Sequence, residues 1–124
     1  MSQDVNKITE KIIGCVYTVG RTLGSGFLEK VYENALSHEL SKAGLAVRTQ
    51  WPIRVFYDGV LVGDYVADLL VEDTVLVEAK SSSALTDAHL AQCLNYLKAT
   101  GLKVCLLINF GGSSVEVKRV VHNL

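Results

Sequence analysis

Apolar residues recur every third or fourth position up to Gly44 and every second position from Leu45 to Tyr57. This change of period constrains the fold more than any other feature of the chain. Val5, Ile8, Ile12, Cys15, Val16, Val19 and Leu23 draw one stripe, predicting a helix over about residues 4 to 22 with Asp4 as N-cap. Gly24-Ser25-Gly26 interrupts the stripe; Leu28, Val31, Tyr32, Ala35, Leu36 and Leu40 restart it, and Gly44 is placed to end a second helix after Lys42.

From Leu45 the pattern is that of strands. Val47, Thr49 and Trp51 alternate with polar neighbours, Pro52 interrupts, and Ile53, Val55 and Tyr57 resume the alternation up to the hairpin dipeptide Asp58-Gly59. Val60 to Val71 is the expected return strand, Glu72-Asp73-Thr74 a tight turn, and Val75 to Lys80 the third strand of an antiparallel meander. Thr86 or Asp87 is placed to cap a helix carrying Leu90, Cys93, Leu94 and Leu97 and closed by Gly101. A fourth strand is expected from Lys103 to Asn109, and after Gly111-Gly112-Ser113-Ser114 an edge strand from Val115 to Val121. The third strand, helix and fourth strand suit a right-handed crossover with parallel strands. The fold class is α/β, or α+β by stricter counting, with a mixed sheet flanked by helices.

With 124 residues, 49% of them apolar, the chain has room for one core, so a single domain over residues 1–124 is expected. Twelve basic against thirteen acidic residues leave a net charge of -1, which excludes a global electrostatic pull toward a polyanion or an acidic membrane. Cys15, Cys93 and Cys105 are odd in number and set among apolar neighbours, as expected of core thiols in a reducing compartment. The polar opening and the shortness of every apolar run predict a cytoplasmic protein without a membrane span.

Three charges sit where strands are otherwise apolar. In Val75-Leu76-Val77-Glu78-Ala79-Lys80 the period of two puts Glu78 and Lys80 on one face. Asp68 lies within Tyr65-Val66-Ala67-Asp68-Leu69-Leu70-Val71, on the strand expected to pair with it. Charges in such surroundings are costly unless paired or bound to a cation. Two carboxylates suit Mg²⁺ or Mn²⁺, and an ammonium beside them suits the charge that grows on a phosphoryl centre under attack by water.

An Asp, a strand turn and then Glu78-Ala79-Lys80 resemble the PD-(D/E)xK nuclease superfamily, and Gly26-Phe27-Leu28-Glu29-Lys30-Val31-Tyr32 resembles the signature of its small GxxExxY branch. The likeness extends through the helix bearing Gln92 and Tyr96 to Leu106-Leu107-Ile108-Asn109-Phe110-Gly111, with Ala79 smaller than the pattern's usual apolar residue. It implies a restriction-endonuclease-like αβββαβ core, here with an extra N-terminal helix and a C-terminal edge strand. It also implies metal-dependent cleavage of DNA or RNA, the metal held by Asp68, Glu78 and a carbonyl near Ala79, with Glu29 as an additional acid.

Glu29 and Tyr32 fall on one helical face, as do Gln92 and Tyr96, which are placed to position phosphate or water. Plainer readings stand beside these: a Glu78–Lys80 ion pair across the sheet, a Glu29 favoured by the helix dipole, and Tyr32, Gln92 and Tyr96 as core or its border. His38, His89 and His122 have no zinc spacing and are expected at the surface. Gly24-Ser25-Gly26 follows a helix and lacks the Lys-Ser/Thr ending of a phosphate loop, and no Gly-x-Ser-x-Gly elbow is present. The expected function is a nuclease, the alternative a scaffolding module that keeps the fold without turnover. Near-neutral charge and small size point to a homodimer, joined through the first helix or the edge strand.

Overall fold

The computed structural model describes residues 4–124; Met1, Ser2 and Gln3 lie outside the described residues. Two helices, α1 (Val5–Leu23) and α2 (Glu29–Lys42), precede the meander β1 (Val47–Tyr57), β2 (Val60–Val71) and β3 (Val75–Lys80). Helix α3 (Asp87–Thr100), β4 (Val104–Asn109) and β5 (Glu116–Val121) follow. The five strands form one sheet in sequence order. All neighbours are antiparallel except β3 and β4, which run parallel because α3 carries the chain back between them. This is the expected α+β architecture, a mixed sheet with helices on both faces.

Asp4 caps α1, its carboxylate accepting from the N–H of Asn6 at 2.9 Å. Ile8, Ile12, Val16 and Val19 of α1 and Tyr32, Leu36 and Leu40 of α2 bury against one face of the sheet, formed by Val75, Val77, Ala79, Val104, Leu106 and Ile108. Cys93, Tyr96 and Leu97 of α3 cover the other face, over Leu76, Cys105 and Leu107. The apolar stripe of α1 is therefore committed to the core and is not available as a dimer face. Leu28 and Val31, assigned to the stripe of α2, point outward at 80% and 38% exposure; the second helix is narrower in its buried face than its sequence suggests. Cys93 and Cys105 are buried free thiols, as expected, whereas Cys15 is only half-buried. His38 is exposed as expected, but His89 contributes to the fold by closing a capping box with Thr86 at the start of α3.

Pro52 does not break β1. It pairs with Val66 in an edge strand, where a missing N–H leaves no ladder bond unmade. The register of the ladder shifts between Val55 and Phe56, and Gln50, two residues before Pro52, adopts a φ of 50°. The β1–β2 ladder runs from Thr49↔Leu69 to Trp51↔Ala67 and omits Gln50 and Asp68 between them. Alternation slips there: Val47, Leu69 and Val71 face α1 and α2, while Trp51, Ile53 and Ala67 face α3. The register is the same on both sides of the gap, so the two strands exchange faces together, and Asp68 stands where β2 changes sides.

Candidate active site

The site begins where two strands separate. The β2–β3 ladder runs Val71↔Val75, Leu70↔Leu76, Leu69↔Val77 and stops; one step further the same register sets Asp68 opposite Glu78. In place of ladder bonds, the side chains cross. The N–H of Asp68 donates to Glu78 Oε2 at 2.7 Å, and the N–H of Ala79 donates to Asp68 Oδ2 at 2.8 Å. Each carboxylate satisfies a backbone donor that the parted strands leave unpaired, and each is fixed in position by doing so. Among the described residues, Asp68 Oδ1 and Glu78 Oε1 take no hydrogen bond, and both reach solvent.

Glu78 is 3% exposed. Burial, followed by the adjacent Asp68 charge, pushes its carboxyl up to about 8, against the lowering effect of the Asp68 N–H and of Lys80. Asp68 is raised too, first by burial and then by the Glu33 and Glu29 charges, with the Ala79 N–H opposing. Two acids held this close in an apolar setting repel one another, and a cation between them relieves both. Among the described residues Lys80 makes no ion pair with either; its Nζ lies 3.4 Å from Gln92 Oε1 on α3. The plain cross-sheet ion pair is thus absent.

Helix α2 brings further acids. Glu29, in its first turn, is exposed and lies at the mouth of the site, with Oε2 3.4 Å from the Ser81 N–H just past Lys80. Glu33, one turn on, is buried at 5% exposure, accepts from Lys30 and from the Gln50 amide, and its charge raises both Asp68 and Glu78. Sequence reasoning passed over Glu33, although its spacing of four from Glu29 places both on one helical face. Of the two readings the sequence left open for Tyr32, the structure shows core packing, at 0% exposure. The Tyr32 hydroxyl donates to the Gly24 carbonyl at 2.6 Å and accepts the Phe27 N–H at 3.2 Å, and its ring stacks on Phe110 with centroids 4.6 Å apart. Tyr32 is a latch for the 24–27 loop that delivers Glu29.

On the opposite flank, Tyr96 is 5% exposed and 5.7 Å from Tyr65 between ring centroids. Burial, then the Glu78 and Asp68 charges, pushes its hydroxyl up to about 12, so it keeps its proton at neutral pH and is a donor there. Gln92 precedes it by one turn and meets Lys80. Asn109, at the end of β4 and 1% exposed, clamps the segment after Lys80. Its Oδ1 accepts from Ser82 N–H and Gly111 N–H, each at 3.0 Å, and its Nδ2 donates to the Ser82 carbonyl at 3.0 Å. It stands beside Lys80 in the parallel ladder, a placement that no local sequence pattern states.

The donor set is hard oxygen, the chemistry of Mg²⁺ or Mn²⁺. Among the described residues no group of three or more His, Cys, Asp or Glu forms a ready cage. A cation here would have the carboxylates of Asp68 and Glu78 to rely on, with water or substrate oxygens completing its shell, which suits Mg²⁺ better than an all-protein Ca²⁺ site.

The family model of the PD-(D/E)XK nuclease superfamily matches residues 6–120. Among solved structures, an alkaline exonuclease from Laribacter hongkongensis superposes with a TM-score of 0.54 at 16% identity, over 76% of this chain and 56% of that one. The protein SSO0001 superposes with a TM-score of 0.59 at 16% identity, over 96% of this chain and 60% of that one. The chain thus spans less than two thirds of either solved chain, and the likeness is one of fold. No curated protein matches the sequence. With nearly its whole length matched and its acidic pair at the parting of β2 and β3, the chain belongs to the PD-(D/E)XK nuclease superfamily.

Proposed function

We propose that this protein is a divalent-metal-dependent nuclease that hydrolyses phosphodiester bonds of DNA or RNA. The observation that carries the reading is the crossed pair of carboxylates, Asp68 and Glu78, with two oxygens left uncommitted and Glu78 raised to about 8. Isolated from a cation, that pair is a liability; with one, it is a ligand set. Asp68, Glu78 and the Ala79 carbonyl would hold Mg²⁺ or Mn²⁺, with Glu29 an additional acid at the mouth that reaches the ion through water. Such an ion, when bound, supplies Lewis acidity and a lowered water pKa.

The remaining roles belong to the chain itself. Lys80 points its ammonium beside the acids, where it orients the attacking water and offsets charge on the phosphoryl oxygens. Gln92 fixes Lys80 through their hydrogen bond. Tyr96, protonated at neutral pH, donates to a phosphate oxygen. The free thiols Cys93 and Cys105 fit a reducing compartment such as the cytoplasm. Among the described residues no helix is long and apolar enough to cross a membrane. Pairing of two copies through the β5 edge completes the reading, and sedimentation of the purified chain measures it.

The test is incubation of the wild type, Lys80→Ala and Asp68→Asn with labelled DNA and RNA of varied structure plus Mg²⁺ or Mn²⁺. Lys80→Ala is expected to lower the cleavage rate by at least about a hundredfold with an unchanged melting temperature. Equal cleavage by wild type and Lys80→Ala would assign the activity to a contaminant and leave the scaffolding alternative standing.

A further inference from the structure

A groove of about 920 Å³ runs between the β1–β2 hairpin and α3, and it starts at the site. Gln92, which meets Lys80, and Tyr96, which feels the Asp68 and Glu78 charges, form its inner end. Further out, Phe56 and Tyr65 line it while remaining 61% and 49% exposed. They belong to a hairpin that also exposes Tyr57, Val60, Leu61, Val62 and Val66, and an exposed apolar patch of that extent marks an interaction surface. Arg54 and Lys98 stand on opposite walls, one on the hairpin and one on α3. Among the described residues no Asp or Glu lines the groove, in a chain with thirteen acids; Asp64 is paired with Arg54 in the ladder but lies outside the wall.

We propose that this groove is a track for unpaired nucleic acid, whose bases stack on Phe56 and Tyr65 and whose phosphates meet Arg54 and Lys98. The proposal deepens the nuclease reading and rests on it for the direction of the strand toward Lys80. The occupant follows from the chemistry. Aromatic faces next to cations recognise bases that expose their π-surface, which a duplex hides. A duplex also presents phosphates along both strands and demands a broad basic surface, which a chain of net charge -1 does not offer. An unpaired strand needs only a groove with aromatic walls and no lining acid, which is present.

The test is fluorescence anisotropy of the purified chain with labelled oligothymidylate and oligouridylate of about eight nucleotides, and with a blunt duplex of the same length. Chelator is included so that cleavage does not run. The wild type is expected to bind at least one unpaired probe about tenfold or more tighter than the duplex, and Phe56→Ala to lose about tenfold in that affinity. Arg54→Ala combined with Lys98→Ala should flatten the slope of log affinity against log salt by about 1.4. Phe56 is mostly exposed, so circular dichroism and melting of Phe56→Ala should match the wild type.

Equal or tighter duplex binding, or unchanged affinity in Phe56→Ala, would overturn the track. The two readings separate cleanly. A wild type that binds unpaired probe through Phe56 yet cleaves nothing with Mg²⁺ or Mn²⁺ retires the nuclease and keeps the track. A wild type that cleaves while Phe56→Ala binds and cleaves as well as it does retires the track and keeps the nuclease.

Discussion

The behaviour of the site at the residue scale is governed by Glu78. In the folded chain its carboxyl titrates at about 8, against an ordinary value of 4.5. Between those two, the native state holds a proton that the unfolded state has released, so stability falls as pH rises through this window. Asp68, also raised, acts in the same sense. Glu78→Gln removes the penalty and keeps an acceptor for the Asp68 N–H. In chelator at pH 8 the variant is expected to melt roughly 5 °C or more above wild type, with the gap closing toward pH 4.5; a gap independent of pH would contradict the assignment. Tyr32→Phe removes both latch bonds, leaving the Gly24 carbonyl and the Phe27 N–H to find water. It should cost about 1–2 kcal/mol in denaturant unfolding. The Glu-x-Lys strand and its partner Asp were legible because charges break an apolar alternation. Glu33 and Asn109 were not, since an acid in a mid-helix turn and an amide at a strand end are ordinary residues until tertiary contacts give them a partner.

At the element scale, the parting of β2 and β3 makes the site. The ladder ends at Leu69↔Val77, and beyond it the carboxylates of Asp68 and Glu78 take the backbone N–H groups that a continued ladder would pair. Alternating apolar residues predicted the strands to within a residue or two, but they located the irregularity at Pro52. Proline in an edge strand is harmless, whereas the left-handed Gln50 that moves the phase has no sequence mark. The second device is the clamp after β3. A Cβ added at Gly111 would collide with the Ser81 and Ser82 backbone, which Asn109 holds from the other side. Gly111→Ala is therefore expected to displace the 81–83 segment, lowering cleavage more than tenfold and stability by about 1–3 kcal/mol. Hydrogen exchange concentrated at residues 80–83 is the measurement, and uniform exchange across the sheet would contradict it.

Across the whole molecule, two cores on opposite faces of one sheet bring three separate elements to a single opening: β2 with Asp68, β3 with Glu78 and Lys80, and α2 with Glu29 and Glu33. The element order was legible because each period change is written in the apolar residues and each turn in Gly, Asp or Ser. The meeting of α2 with the β2–β3 opening was not, because no local pattern states which helix end faces which strand end. Titration calorimetry with Mn²⁺ tests the outcome most directly, using wild type, Lys80→Ala and Asp68→Ala. One site on wild type and on Lys80→Ala, tightening toward pH 8 with proton release and absent in Asp68→Ala, is the predicted result. Identical heats from wild type and Asp68→Ala would contradict the metal site and the hydrolysis built on it.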